Sequence, residues 1–301
     1  MSTAEADARQ WTVARLLTWT RDYLQRSGVE SPRLCAEILL AHVMHCERIQ
    51  LYTRFEELPA EQVLAPFRAL VKQAATGHPI AYLTGTKEFF SLPFEVSPDV
   101  LIPRPETEIL VERTIDLIRK SPAAGAALLD LATGSGCIAV SLARHLPGVR
   151  LFASDISEAA LLVARRNAAR HAVADRIEFR CGDLLEPWAQ PASDGRPLLF
   201  DVIVCNPPYV ASNGAPLARN VRDFEPHVAL FAGPDGLEVI RRVVHEVPHW
   251  LKAGGHLLLE IGYDQARAGR GLLAGADWQD IVTYRDGAGH ERVLHARRVA
   301  D

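Results

Sequence analysis

Apolar residues repeat at helical spacing through the amino-terminal part of the chain. A further helix is predicted over residues 60–75, where Pro66 is expected to kink or interrupt it. We therefore predict a small helical domain over residues 1–77, which either docks a macromolecular partner or packs against the rest of the chain. The clearest helical series consists of Val13, Leu16, Leu17, Thr20 and Leu24.

The pattern changes at Gly77-His78-Pro79, after which short apolar and aromatic runs are separated by glycine and proline. Such runs are typical of a β-hairpin, so residues 78–107 are predicted to form a hairpin connector. The connector ends in Ile102-Pro103-Arg104-Pro105-Glu106-Thr107, ahead of the helix that begins the main domain, residues 108–301.

Strands alternate with helices from Ala126 onward. This alternation predicts an α/β fold with a doubly wound, mostly parallel sheet. Gly287-Ala288-Gly289 separates two last strand-like stretches and predicts an antiparallel hairpin at the carboxyl-terminal edge. The predicted strands are 127–132, 150–154, 176–181, 200–205 and 256–261, and the predicted helices are 138–145, 158–171 and 236–251.

The composition is that of an ordinary globular protein. The 301 residues are 48% hydrophobic and 23% charged, and no run reaches the roughly 18 apolar residues of a membrane span. The acidic first residues are not typical of a secretory signal. We expect a cytoplasmic protein that acts as a monomer and has no membrane partner. A net charge of −4 argues against broad contact with phosphate backbones, and no direct nucleic-acid partner is expected.

Cysteine and histidine spacing gives no sign of a metal site. The five cysteines lie far apart without a Cys-x-x-Cys pair, and we expect buried, reduced thiols. His245 and His249 are spaced i, i+4 in a predicted helix. Because no third ligand accompanies them, a solvated helix face is the favoured interpretation, and no metal is predicted.

The most informative segment is Asn206-Pro207-Pro208-Tyr209, directly after the predicted strand 200–205. Neither proline can donate to a sheet ladder, so the strand ends here and presents the segment at its carboxyl end, where open α/β sheets bind ligands. The Asn206 side-chain carbonyl and a backbone carbonyl can accept both hydrogens of a flat –NH2 group, while the Tyr209 ring covers its plane. The alternative is a proline-rich turn that only closes a buried strand.

A second candidate segment follows the first predicted strand. Gly134 and Gly136 predict a tight turn into a helix, whose free backbone N–H groups a ligand can approach closely. Asp155 ends the next strand, where its carboxylate can bind both ribose hydroxyls, and Asp183 ends the third, within reach of an adenine amino group. These residues predict an adenosine pocket with the binding candidates Asp130, Ala132, Thr133, Gly134, Ser135, Gly136, Asp155, Asp183, Leu184 and Asn206.

The glycine spacing alone does not identify the cofactor. Gly134-x-Gly136-x-x-Ala139 with Asp155 also fits the dinucleotide fingerprint, so NAD and S-adenosylmethionine are both compatible with it. Asp130, which is expected to face the ligand, would repel a pyrophosphate but can reach the ammonium end of S-adenosylmethionine through a short bridge. The segment around Asn206 offers no acid or base for hydride transfer. S-adenosylmethionine is therefore favoured.

With these motifs in place, the chain resembles the class I methyltransferases that carry an Asn-Pro-Pro-Tyr motif. More narrowly, it resembles the protein-(glutamine-N5) methyltransferases of peptide chain release factors, the PrmC/HemK family. One departure is Ala132, where the family usually has glycine, although alanine still allows a strand-end conformation. The resemblance covers nearly the whole chain and rests on the helical domain, residues 102–107, 130–136 and 206–209, Phe224-Glu225-Pro226, Tyr284-Arg285-Asp286 and Glu291-Arg292-Val293.

The resemblance implies a Rossmann-like class I methyltransferase sheet and transfer of a methyl group from S-adenosyl-L-methionine, with S-adenosyl-L-homocysteine as product. The implied acceptor is the side-chain amide of the glutamine in the Gly-Gly-Gln loop of release factors, whose methylation modulates translation termination. The implied catalytic residues are Asn206, Pro207 and Tyr209, and the substrate-binding candidates add Pro208, Arg104 and Glu106.

The roles of three charged residues near this site are each open to two interpretations. Arg104 and Glu106 contact the cofactor or the entering protein loop, or they form an ion pair that holds the two domains. Glu225 lines the mouth of the pocket or is a solvated loop acid.

Three other functions use the same motifs. Adenine-N6 methylation of nucleic acid also needs a clamp for a flat –NH2 group, but it usually requires a basic groove and a base-reading element. A sister family methylates a glutamine of a ribosomal protein. A non-catalytic S-adenosylmethionine-binding adaptor is disfavoured, because Asn206, Tyr209, Asp155 and the glycine turn occur together.

Overall fold

The computed structural model describes residues 11–120, 125–189, 197–213 and 217–300. It divides the chain into two units. The first extends past the predicted boundary at residue 77 to Gly85 and also includes Leu217–Phe224, a segment that no sequence pattern assigned to it. The second runs from Thr86 to Pro216 and from Glu225 onward. Residues 1–10 of the predicted helical domain lie outside the described residues.

The first unit is helical, as its periodicity predicts. Its helices bury apolar side chains in a common core that includes Leu24, Leu39 and Phe67. The aromatic ring of Phe224, from the later segment, lies 4.2 Å from the His78 ring, centroid to centroid. The helices are Val13–Arg26, Pro32–Val43, Arg48–Thr53, Glu61–Ala75, Ile80–Thr84 and Arg219–Phe224.

The expected interruption at Pro66 is wrong, because the helix Glu61–Ala75 continues through it. Pro66 lies in the second turn, so its missing N–H removes only the hydrogen bond to the carbonyl of Gln62. The helix buries Phe67, Val71 and Ala74 on one face. Burial of these side chains offsets the lost hydrogen bond.

The second unit contains the predicted α/β sheet, preceded by a small hairpin of strands β1 and β2. The seven strands described in the main sheet have the order β5-β4-β3-β6-β7-β9-β8. Neighbours from β5 to β7 are parallel, whereas β9 pairs antiparallel with both β7 and β8. The strands are β1 Thr86–Phe89, β2 Leu92–Glu95, β3 Ala127–Leu131, β4 Arg150–Asp155, β5 Ile177–Cys181, β6 Phe200–Cys205, β7 Leu251–Glu260, β8 Trp278–Arg285 and β9 Glu291–Arg298.

Helices cover both faces of this sheet, which explains why its central strands are mostly apolar. Every residue of β3 is buried, and the two faces contribute to separate cores around Val140 and Ile240. The α-helices of this unit are Glu108–Lys120, Cys137–His145, Glu158–Arg170, Glu238–Glu246 and Ala266–Leu273, and the short 3-10 helices are Pro105–Thr107, Ala174–Arg176, Glu186–Trp188, His227–Ala229 and Val247–Trp250.

The largest departure from prediction lies between residues 236 and 261. The predicted helix 236–251 ends at Glu246 and continues as the 3-10 helix Val247–Trp250, while β7 begins at Leu251 rather than at residue 256. Pro248 explains the change, since proline cannot donate the hydrogen bond that an α-helix needs there. His245 and His249 are exposed and do not share one α-helix, and the described residues contain no group of three metal-ligating side chains.

All five cysteines are free, and Cys35, Cys137 and Cys205 are buried, as predicted. The expected burial is wrong for Cys181, which is exposed, and Cys46 is only half-buried. Within the described ranges, no helix has the length and apolar character needed to cross a membrane.

Candidate active site

The carboxyl ends of the parallel strands meet at one edge of the sheet, beside a cavity of about 320 Å³. This volume lies at the small end of the range for ligand sites. Most of the predicted cofactor-binding side chains contribute to its wall. The lining includes Arg104, Thr107, Ala132, Thr133, Gly134, Ser135, Asp155, Asp183, Leu184, Asn206, Pro208 and Arg242.

The turn after β3 provides one wall of the cavity. Gly134 and Gly136 have φ angles of +55° and +79°, in the left-handed region that favours glycine. A Cβ on Gly134 would meet no atom within 4 Å, whereas one on Gly136 would lie 3.0 Å from the Cβ of Ala164. Gly134 therefore leaves the cavity open, and Gly136 lets the helix Glu158–Arg170 pack closely.

Ala132 departs from the expected strand-end conformation. Its φ of +56° is left-handed rather than extended, so the usual glycine of the family would be less strained here. Leu184, another cavity residue, is also left-handed at +46°. The chain thus keeps two non-glycine residues in an unfavourable backbone conformation at the cavity.

Asp130 forms hydrogen bonds with residues in and just after the glycine turn. It is not among the residues that line the cavity. Its Oδ2 accepts hydrogen bonds from the Thr133 hydroxyl at 2.6 Å and the Ala139 N–H at 3.1 Å. Its Oδ1 is buried without a hydrogen-bond partner among the described residues. Burial raises the pKa of Asp130 to about 7, against the opposing effect of those hydrogen bonds. The predicted contact of Asp130 with the ammonium end of the ligand through a short bridge stays a prediction.

Two acids at neighbouring strand ends face the same cavity. Asp155 ends β4 and accepts hydrogen bonds from the Gly134 N–H at 2.8 Å and the Ser157 N–H at 2.9 Å. Desolvation raises its pKa. Asp183 forms an ion pair with Arg242, whose Nη1 lies 2.9 Å from Oδ2. Sequence reasoning missed Arg242, because no local motif marks a partner that lies on a helix so much later in the chain.

Asn206 follows the last residue of β6 and lines the cavity, and its side chain also contacts Thr107. Its Nδ2 donates a hydrogen bond to the Thr107 hydroxyl at 3.2 Å. Its Oδ1 is buried and has no hydrogen-bond partner in the described part of the chain. An unpartnered buried carbonyl is costly to the protein unless a ligand supplies the donor.

Tyr209 and Pro207 lie beyond the lining of the cavity. The Tyr209 hydroxyl forms a hydrogen bond with Oε1 of Glu260 at 3.2 Å, and burial raises its pKa. The Tyr209 carbonyl accepts a hydrogen bond from the Gln265 side chain at 2.9 Å. The sequence analysis missed both Glu260 and Gln265. Glu260 carried a usable signal, because it ends the strand next to β6, and a place at the end of a strand is what marked Asp155 and Asn206 as candidates.

Arg104 lines the cavity, but its ion-pair partner is Glu225, 2.5 Å away within the same unit. Glu225 is 4% exposed and also accepts a hydrogen bond from the Ile102 N–H at 3.2 Å. The interpretation of Glu225 as a solvated acid is therefore wrong. Glu106 is half-buried and is not among the lining residues.

Comparison with known proteins agrees with this architecture. The family model described as PrmC N-terminal domain matches residues 15–85, and the one described as methyltransferase small domain matches residues 107–221. The chain is also similar to the hMettl16 catalytic domain in complex with MAT2A 3′UTR hairpin 6, with a TM-score of 0.53 and 18% identity over 77% of this chain and 81% of that one. At this identity the likeness shows the fold alone.

The sheet topology is that of the class I methyltransferase fold, and the methyltransferase small domain matched above covers the glycine turn at the cavity. The chain is 42% identical to a release factor glutamine methyltransferase of Rhodopirellula baltica, over 96% of this chain and 97% of the relative. It is 45% identical to one of Burkholderia pseudomallei, over 88% and 91%. The chain belongs to the family of release factor glutamine methyltransferases.

Proposed function

We propose that this enzyme transfers a methyl group from S-adenosylmethionine to the side-chain amide nitrogen of the glutamine in the Gly-Gly-Gln loop of peptide chain release factors. The observation that carries the proposal is the Oδ1 atom of Asn206, which is buried without a partner among the described residues, beside the cavity. Such an atom suits an N–H donor on the acceptor group.

The residues of the cavity fit the proposed cofactor. The open space at Gly134 admits a ligand close to the backbone, and the Asp155 carboxylate, which lines the cavity, would bind the ribose hydroxyls. Asp183 and Leu184 would bound the adenine, with Arg242 holding the Asp183 carboxylate in place. The unpartnered Oδ1 of Asp130 would act beneath the turn, toward the ammonium group. When bound, S-adenosylmethionine supplies an electrophilic methyl group.

The remaining chemistry is activation of a poor nucleophile. An amide nitrogen is weakly nucleophilic because its lone pair is delocalised into the carbonyl. If the Asn206 side chain and the Pro207 carbonyl each accept one N–H hydrogen, electron density on that nitrogen rises and its plane is fixed. The Tyr209 ring would cover this plane, with Pro208 beside it, and would favour the cationic nitrogen of the transition state. Methyl transfer first gives a cationic amide whose nitrogen carries the methyl group and both hydrogens; this cation is strongly acidic and can release one of those protons to water.

The remaining assignments are part of the same proposal. We propose that residues 1–77 dock the release factor, that residues 78–107 connect this docking domain to the methyltransferase domain 108–301, and that Arg104 and Glu106 contact the entering loop. The enzyme would act as a cytoplasmic monomer, where release factors and ribosomes meet, with no direct contact to nucleic acid.

The test supplies the enzyme with S-adenosylmethionine labelled on the methyl group and three acceptors: a release factor, a ribosomal protein with a target glutamine, and adenine-containing DNA. Label is expected in the release factor. Label in DNA would favour the adenine-N6 alternative, and label in the ribosomal protein alone would favour the sister activity. No label in any acceptor would contradict methyl transfer to all three.

A further inference from the structure

A buried side-chain amide joins three separate stretches of backbone, one of which includes Tyr209. The amide belongs to Gln265, which directly precedes the helix Ala266–Leu273 and is 9% exposed. Its Nε2 donates hydrogen bonds to the backbone carbonyls of Tyr209 at 2.9 Å and of Gly236 at 3.2 Å. Its Oε1 accepts a hydrogen bond from the Gly262 N–H at 2.9 Å. Both hydrogens and the oxygen of the amide are therefore in use.

The stretch that follows Tyr209 is also bonded to a loop of the cavity. Backbone hydrogen bonds of 2.8, 2.9 and 3.0 Å join residues 210–212 to residues 230–233. Phe231 and Ala232, in the second of these stretches, line the cavity. Because the Gln265 amide holds carbonyls next to both stretches, it adds a further link between them.

The position of the Tyr209 backbone affects the whole segment 206–209. Its two prolines have fixed φ angles, so the segment is stiff. At one end Asn206 directly follows β6, and at the other end Gln265 holds the Tyr209 carbonyl. A shift at Tyr209 would therefore displace the Pro207 carbonyl as well.

We propose that Gln265 is a positioning residue for methyl transfer: through the Tyr209 carbonyl, it holds the segment 206–209 in the geometry that accepts the substrate amide. The proposal rests on the proposed function, in which Asn206 and the Pro207 carbonyl accept the two hydrogens of that amide. Gln265 is not among the residues that line the cavity, so its effect passes through this segment.

Capping of its own helix does not account for Gln265. Its side chain makes no capping hydrogen bond to the helix Ala266–Leu273, and short polar side chains are the ones that cap best. Only an amide side chain offers an acceptor oxygen and two hydrogens on one nitrogen. Because the Gly262 N–H engages the oxygen, the NH2 group faces the two carbonyls. An ionised glutamate could replace the acceptor but neither donor.

Gly236 allows the same carbonyl to be disturbed independently. Its φ is +72°, and an added Cβ would overlap the Tyr209 carbonyl oxygen and lie 2.9 Å from Nε2 of Gln265. Gly236→Ala therefore displaces the Tyr209 carbonyl without removing the amide that binds it.

The experiment measures kcat for methylation of a release factor and, by calorimetric titration, the Kd and stoichiometry of S-adenosylmethionine binding. The stoichiometry counts the enzyme molecules that bind cofactor, and kcat is expressed per such molecule. Gln265→Glu sets an oxygen against the two carbonyls, and Gln265→Met removes both donors at similar length. Each is expected to lower kcat by about 10- to 100-fold, the effect of misplacing a reacting group.

The Kd for S-adenosylmethionine should stay near wild type in both variants. Asp155 and Asp183, in the proposed cofactor half of the site, are held by other partners. Gly236→Ala should lower kcat to a similar extent, again without weaker cofactor binding. Ala268→Glu introduces the same charge at an exposed position of the same helix and is the matched control, which should keep the wild-type kcat.

The outcomes distinguish this proposal from the proposed function. A wild-type enzyme that methylates no release factor overturns both. If the wild-type enzyme is active, a wild-type kcat in Gln265→Glu and Gln265→Met overturns the positioning role alone. Loss of cofactor affinity as large as the loss of kcat also overturns it, because it would show a general loss of structure. If Gln265→Glu does not fold, Gln265→Met and Gly236→Ala still decide.

Discussion

Gly136 lies so close to Ala164 that a Cβ on the glycine would be 3.0 Å from the alanine Cβ and 3.2 Å from its Cα. Gly134, two residues earlier in the same turn, has no atom within 4 Å of its Cβ position. The two glycines have similar φ angles but different surroundings. Substitution should therefore affect them differently.

Gly136→Ala should destabilise the protein by about 1–3 kcal/mol, because the added methyl group overpacks against the helix Glu158–Arg170. Gly134→Ala should cost about 1 kcal/mol, from its left-handed backbone alone, yet should abolish most binding of S-adenosylmethionine by filling the open space. Chemical denaturation and calorimetric titration measure the two effects. Equal losses of stability in the two variants, or undiminished binding of S-adenosylmethionine by Gly134→Ala, would contradict the different roles assigned to the two glycines.

Ala132→Gly should stabilise the protein by about 0.5–1 kcal/mol, since glycine adopts the left-handed conformation at residue 132 without strain. For a chain of this size the melting temperature should rise by about 1–4 °C. The matched control is Ala159→Gly in the exposed part of the helix Glu158–Arg170, which should lower stability by about 0.5–1 kcal/mol. A fall in melting temperature for Ala132→Gly would contradict the inference that the backbone of Ala132 is strained.

The sequence predicted the parts of this architecture that depend on local pattern. Alternating apolar runs and glycine turns correctly indicated the strands of the parallel sheet, and with them the strand ends that carry Asp155 and Asn206. The resemblance to a family then matched the relatives found. These features follow from residues close together in the chain.

What the sequence did not predict depends on contacts between distant segments. Glu260 looked like the end of one more strand, and its hydrogen bond with the Tyr209 hydroxyl forms only because the fold brings the two residues together. The ion pair between Asp183 and Arg242 likewise joins residues that lie far apart in the sequence. The left-handed backbone of Ala132 was missed because alanine does not signal that conformation.

Asp130→Asn should change how stability depends on pH. The pKa of Asp130 is raised from 3.8 to about 7 by burial, so between these values the native state holds a proton that the unfolded state has lost. Stability therefore falls as the pH rises through this window and is constant above it. Asparagine cannot ionise, so the stability of the variant relative to wild type should increase from pH 4 to pH 8, by up to about 4 kcal/mol.

Urea denaturation of both proteins at several pH values measures this difference. Asp175→Asn, at an exposed position, is the control and should stay within about 0.5 kcal/mol of wild type. A difference between Asp130→Asn and wild type that does not change with pH would show that Asp130 is not buried as a neutral acid.

Asn206→Ala should lower kcat by about 10²–10³, the usual effect of removing one preorganised hydrogen-bond partner of a reacting group. Stability should fall by about 0.5–1.5 kcal/mol, because the hydrogen bond from Nδ2 of Asn206 to the Thr107 hydroxyl is lost. Steady-state kinetics with a release factor measures the effect, and Asn213→Ala on the exposed loop serves as control. A kcat within threefold of wild type would show that Asn206 does not activate the acceptor amide.

The most direct test of the central claim locates the transferred methyl group. Tandem mass spectrometry of a release factor treated with the enzyme and S-adenosylmethionine should find one added methyl group on the side chain of the Gly-Gly-Gln glutamine, and none when that glutamine is replaced by alanine. A methyl group on any other residue of the release factor, or continued methylation after the replacement, would contradict the claim.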